Sequence, residues 1–499
     1  MSILLQPSLI LIDHGHFQYN TVMLGLSVAA FSLLYTSLPN PDLTSSTSAK
    51  QSADMQARMT SLSRRISYEY ITAAVCFSLS LCFKQMALYF APAVFAVMLG
   101  RCWGLANLGF ERGLICFFGI GLATTLTFAA MFQPWLTDLA QLGQVLHRIF
   151  PLARGIFEDK VSNVWCFLSV LPIPSQYKLR NVVSIPALAK LSLATTLLVI
   201  LLPCVQLFAA AAETVRLEMF LYDDAKRQLA ASERRRIEGS VAGSSKARHR
   251  KRSQAAPSEA GSDLASILSG GRGTSTVRGQ EARSCGLPEK RVATASSSPS
   301  PAASVLPYAL LSTSLAFFLF GFQTHEKSIL LPLLPVTLLI STKGDEWGAG
   351  AGKTDWEWAV LTNNLAVFSM WPLLQRDGLA LQYATLVLLW NWSIGYRPFD
   401  GLWSSRQTFV AWFATLAHVA MIALHVLELA FPLLGNLTSP LTARYPDLFA
   451  VLNVLLCTPC LALVWVWSTK RQLEVGFASG VDILSLQGSG SARTRVTAK

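Results

Sequence analysis

Apolar segments of membrane-spanning length recur along this chain from end to end, and no other feature restricts its fold as strongly. Runs near 20–38, 68–84, 86–104, 113–132, 186–210, 305–322, 328–342, 357–374, 379–395, 408–433 and 446–468 are almost free of charge. A bilayer core takes about twenty apolar residues as a helix, which pairs every backbone polar group within its own segment. The expected fold is therefore all-α, a polytopic transmembrane helical protein of about eleven full spans. Composition agrees, since 52% of the 499 residues are hydrophobic and 14% charged, which excludes an ordinary soluble domain. One further apolar piece, Val161 to Ile173, is bounded by Lys160, Pro172 and Pro174 and is too short to cross. It is read as an interfacial or partly entering segment.

Charge sets the orientation. The 41 Lys and Arg against 29 Asp and Glu give a formal +12, and the surplus lies mainly in links between apolar runs. The tendency of basic links to stay in the cytosol explains this more simply than a nucleic-acid partner, and none is expected. With Val161 to Ile173 non-spanning, the Lys50, Arg58, Arg64 and Arg65 loop, the long basic stretch, the Tyr396 to Arg406 link and Lys470-Arg471 all fall on the cytosolic side. Asp13 to Asn20, Lys84-Gln85, Gln133 to Lys160, His325 to Ser328 and the sequon Asn436-Leu437-Thr438 then share the opposite face. A second sequon, Asn391-Trp392-Ser393, ends near the cytosol and is expected to stay unused.

The chain divides accordingly. Residues 1–211 form an N-terminal membrane part, 212–302 a basic cytosolic loop, 303–469 the C-terminal membrane helices and 470–499 a cytosolic tail. The loop is expected to be disordered, because Ala230 to Ala303 is rich in Ser, Ala, Gly, Arg and Pro and lacks apolar periodicity. Most of the nine cysteines fall within apolar runs and read as packing residues, including the Cys457-Thr458-Pro459-Cys460 pair. Gly348 to Thr354 is one residue short of a phosphate-loop spacing and follows no apolar strand. Serine-elbow and zinc His-Glu-x-x-His patterns are absent.

Against this background one tetrapeptide stands out: His325-Glu326-Lys327-Ser328 places three ionisable residues between Leu315–Phe322 and Ile329–Ile340. Charge in such a setting is costly and marks a site. Four more clusters share its face: Asp13-His14-Gly15-His16-Phe17-Gln18-Tyr19-Asn20, Phe83 to Tyr89 around Lys84, Arg148 to Gly155 with Arg148 and Arg154, and Phe157-Glu158-Asp159-Lys160. Together they suggest a pocket for an anionic group presented from the membrane. Plainer readings exist for each: Asp13, His14 and His16 as helix caps, Lys84 as a snorkelling lysine, Arg148 and Arg154 as anchors of an interfacial helix, Glu158 and Lys160 as a surface ion pair.

Taken in order, the motifs Ile12-Asp13-His14-Gly15-His16-Phe17-Gln18-Tyr19-Asn20, Phe83-Lys84-Gln85-Met86-Ala87-Leu88-Tyr89, Arg148-Ile149-Phe150-Pro151 with Arg154 to Val161, and His325-Glu326-Lys327-Ser328-Ile329-Leu330 resemble a known family. It is that of the dolichyl-phosphate-glucose-dependent α-1,3-glucosyltransferases of the endoplasmic reticulum, integral-membrane enzymes of the GT-C class. Lys84-Gln85-Met86 and Phe157 to Lys160 are similar to the branch adding the first glucose to the dolichol-linked oligosaccharide; the branch adding the second is the alternative.

The resemblance implies inverting transfer of glucose, without metal or cofactor, from dolichyl phosphate glucose to a mannose of a dolichyl-pyrophosphate-linked oligosaccharide. It places the protein in the endoplasmic reticulum membrane with its active face lumenal. His325 matches the family histidine on the lipid-phosphate side. Lys327 joins it on physical grounds, with Lys84, Arg148, Arg154, Glu158, Lys160 and Glu326 as possible helpers and Asp13, His14, His16, Gln18 and Asn20 as the lumenal motif. In the family the general base precedes that motif, which here begins at residue 13. The base is therefore expected upstream of Met1, and the chain as given is expected to be inactive. A transporter, or a lipid-binding scaffold without activity, is the competing class.

Overall fold

The structure, a computed structural model, describes residues 4–35, 68–149, 160–171, 174, 179–253, 299–321, 324–340, 352–399, 408–433 and 444–481. Each apolar run predicted to span is helical over most of its described residues. These are α1 (Asn20–Leu34), α2 (Tyr68–Phe83), α3 (Ala91–Leu108, preceded by the 3₁₀ turn Gln85–Phe90), α4 (Phe110–Phe132) and, after α5 (Leu139–Ile149) and α6 (Val164–Val170), α7 (Ile185–Ser253). There follow α8 (Pro301–Phe320), α9 (Leu330–Ile340), α10 (Lys353–Ser369), the short α11 (Trp371–Arg376), α12 (Ala380–Ser393), α13 (Phe409–Ala430) and α14 (Leu448–Ala478). No strand occurs among the described residues. Six of these helical stretches are long and apolar enough to cross a membrane by length and composition.

The described chain forms two compact units, Met1–Leu38, Thr60–Leu217 and Ser298–Lys499 in one, Pro39–Met59 and Glu218–Ser297 in the other. The first holds the membrane helices, and α8 lies at its centre, with 83% of its apolar window buried, packed against α14, α9 and α3. By contrast α4 is peripheral at 6%, which leaves its Phe and Leu side chains for lipid. Because lipid gives apolar side chains no preference for one another, such helices hold together by close backbone approach and shared hydrogen bonds. Gly100 and Gly104, one turn apart on α3, supply the first: a Cβ at Gly100 would lie 2.3 Å from the Phe208 carbonyl oxygen, and one at Gly104 2.9 Å from that of Ala212. Ser27 with Ser80 (2.8 Å), Ser312 with Ser468 (3.0 Å) and the reciprocal amides of Asn364 and Asn391 (3.0 and 2.8 Å) supply the second.

Two expectations meet the structure differently. Among the described residues of Val161 to Ile173 the α-helix is α6, seven residues capped by the Asn163 side chain accepting from the Cys166 N–H at 2.8 Å. The long basic loop, in contrast, is not irregular from residue 212: α7 continues to Ser253. Glu213 to Ala231 is rich in Glu, Leu, Met, Ala, Lys, Arg and Gln, whose helix preference continues the helix past the apolar run. The remainder of that loop, 254–298, lies outside the described residues. Cys457 and Cys460 are buried in α14, as packing residues would be.

Candidate functional site

The N-terminal motif folds back on itself. The helix Pro7–Ile10 widens into a single π-helical turn, Leu11–Gly15, and Phe17 then takes a left-handed φ of 54°. These turns bring the buried Asp13 carboxylate to the start of α1, where it accepts from the Asn20 Nδ2 amide at 2.9 Å and from the Thr21 backbone N–H. A negative charge there satisfies the unpaired amides of the helix N-terminus and opposes its dipole. Gln18 and Asn20 turn their side-chain oxygens to Lys84, whose ammonium donates to them at 2.7 and 2.6 Å. Lys84 itself sits between α2 and the 3₁₀ turn Gln85–Phe90. Burial pushes its pKa below that of an ordinary lysine; the Asp13 charge pulls it back and Lys327 lowers it further.

His325 has extended backbone and leads a 3₁₀ turn, Glu326–Ile329, closed by the Ser328 N–H donating to the His325 carbonyl at 2.9 Å. The turn buries Glu326 and Ser328 and leaves His325 and Lys327 half-exposed. His325, Glu326 and Lys327 line a pocket of about 310 Å³ whose remaining walls are Leu373, Arg376 and Asp377. The α11 segment therefore brings a second pair of charges to the tetrapeptide. Arg376 Nη2 lies 3.6 Å from Glu326 Oε2, and Asp377 Oδ2 lies 2.5 Å from His16 Nδ1. Four stretches far apart in sequence, 13–20, Lys84, 325–328 and 373–377, thus form one polar site in the membrane unit.

The sequence-derived residues separate into two groups. Asp13, His16, Gln18, Asn20, Lys84, His325, Glu326 and Lys327 converge through the contacts above. His14 neighbours them but is exposed. Arg148 is exposed at the end of α5 and is not part of the pocket wall, and Lys160 pairs instead with Asp447 at 3.2 Å, near the start of α14. Arg154 and Glu158 lie outside the described residues. Arg376 and Asp377 were not singled out from sequence, although charge counting puts their link on the same face as His325.

Residues 1–47, 54–226 and 291–468 match the ALG6, ALG8 glycosyltransferase family. The chain belongs to this family. Among its relatives, the probable dolichyl pyrophosphate Man9GlcNAc2 alpha-1,3-glucosyltransferase of Schizosaccharomyces pombe is 32% identical over 96% of this chain and 65% of its own length. The Saccharomyces cerevisiae dolichyl pyrophosphate Man9GlcNAc2 alpha-1,3-glucosyltransferase is 30% identical over 97% of this chain and 67% of its own. The Gallus gallus protein of that name is 29% identical over 90% and 64%. The chain thus spans about two thirds of the length of the curated relatives it matches. All four motifs that carried the family resemblance lie inside the matched segments, and the all-α, multi-span architecture expected of this GT-C-type family is the one observed.

Proposed function

We propose that this member of the ALG6, ALG8 family transfers glucose from dolichyl phosphate glucose to a terminal mannose of the dolichyl-pyrophosphate-linked oligosaccharide, forming an α-1,3 bond with inversion. The reaction breaks the bond between the glucose anomeric carbon and the phosphate oxygen and forms one to the mannose hydroxyl. Dolichyl phosphate leaves with an added negative charge, and a carboxylate takes the hydroxyl proton. The observation that carries this reading is the pocket in which His325 and Lys327 stand together, with Lys84 near enough to Lys327 to feel its charge. Cations fixed before reaction stabilise a leaving phosphate without reorganisation. The proposed setting is the endoplasmic reticulum membrane with this site facing the lumen, where charge counting puts its segments.

Glucose transfer to Man9GlcNAc2 lipid, compared for the wild type, His325→Ala and Lys327→Ala in a chain extended to the length of the matched relatives, tests it. Each variant is expected to lose activity by about 10²-fold or more, the usual cost of a removed transition-state donor. Unchanged rates in both would remove the phosphate site. An acceptor already carrying one glucose should be a poor substrate, which separates this reading from addition of the second glucose.

A further inference from the structure

The pocket wall holds two carboxylates as well as its cations, and a leaving phosphate would be repelled by both. Asp377 is engaged by His16. Glu326 is the harder case, because its side chain is only 7% exposed and a buried carboxylate needs a counter-charge close by. Arg376 is near it at 3.6 Å, yet the Arg376 side chain remains 64% exposed and forms part of the pocket wall beside His325 and Lys327. A guanidinium carries five donors in one plane, so a fork held along one edge by a carboxylate still presents donors to a second oxyanion.

We propose that Arg376 is a phosphate-binding residue of this site, its guanidinium oriented by the buried Glu326 so that it grips the dolichyl phosphate oxygens together with His325 and Lys327. Glu326 is then a positioning residue, and the pair converts a carboxylate that would repel the ligand into the support of a cation that binds it. The proposal rests on the reading of this pocket as a lipid-phosphate site.

Binding of dolichyl phosphate to the detergent-solubilised full chain, with dolichol as the uncharged control, separates the two ideas. Arg376→Gln is expected to weaken dolichyl phosphate binding about 10- to 100-fold, in the range of a lost charge-assisted pair, and to leave dolichol unaffected. Because Arg376→Gln also takes a counter-charge from beside Glu326, the double variant Glu326→Gln/Arg376→Gln removes that carboxylate charge and guards against misfolding. It is expected to bind as weakly as the single variant. Wild-type affinity in the double variant would mean that Arg376 serves only to neutralise Glu326, and the proposal would fall. If His325→Ala and Lys327→Ala weaken binding while Arg376→Gln does not, Arg376 is likewise excluded and the phosphate site stands. If none of the three weakens it, the phosphate site itself is wrong.

Discussion

Lys84 shows how one side chain ties two motifs together. Its ammonium satisfies the Gln18 and Asn20 oxygens and lies near enough to Lys327 for that charge to disfavour its own. Since its pKa is pushed down, Lys84 loses its proton at a lower pH than an exposed lysine, and its cation is present only below that value. Glucose transfer should therefore decline on the alkaline side as Lys84 neutralises. Lys84→Arg, which stays charged throughout, should carry that decline to higher pH. A pH–rate profile decides the matter, and superimposable alkaline limbs would show that Lys84 ionisation does not limit the reaction. At the same scale, the sequence made Lys84, Asp13 and the His325 tetrapeptide conspicuous because charge beside apolar runs is rare. It made Arg148 and Lys160 equally conspicuous, and they stand apart, because sharing a membrane face does not mean sharing a pocket.

Among the elements, α3 and α7 approach most closely where Gly100 and Gly104 face Phe208 to Val215. A larger side chain would meet backbone carbonyls, which cannot move aside as a flexible side chain would. Gly100→Leu is expected to lower stability by about 1–3 kcal/mol or more, the cost of overpacking, seen as a lower thermal midpoint in detergent. Gly25→Leu on α1, where nothing lies within 4 Å of the added Cβ, is the control and should be nearly silent. The short α11 is held differently. Pro372 favours its first turn, and the Trp371 indole donates to Glu428 on α13 at 2.7 Å while its ring packs on Tyr383 and His425. That anchor fixes the helix from which Arg376 and Asp377 reach the pocket. The extension of α7 to Ser253 was legible in principle, since helix-forming residues continue past the apolar run. Charge and low hydropathy concealed it, because they mark departure from the membrane and not the end of a helix.

Across the whole membrane unit, the site exists because the N-terminal turn meets the end of α11 through His16 and Asp377, which lie 2.5 Å apart. His16→Ala should free the segment 371–378 while leaving the central α8 intact. Hydrogen exchange read by mass spectrometry is expected to quicken in 371–378 and stay unchanged in 301–320. Equal exchange in wild type and variant would show that other contacts suffice to hold the segment. By itself the sequence determined that this is an all-helical membrane protein and which family motifs it carries, because hydropathy acts along the chain and is read locally. Only the tertiary structure decided that residues 13–20, Lys84, 325–328 and 373–377 meet in one polar site, and that Arg376 lies 3.6 Å from Glu326. Which turns converge depends on the packing of the helices, set by glycine contacts and interhelical hydrogen bonds such as Gly100 with Phe208 and Ser312 with Ser468, far apart along the chain.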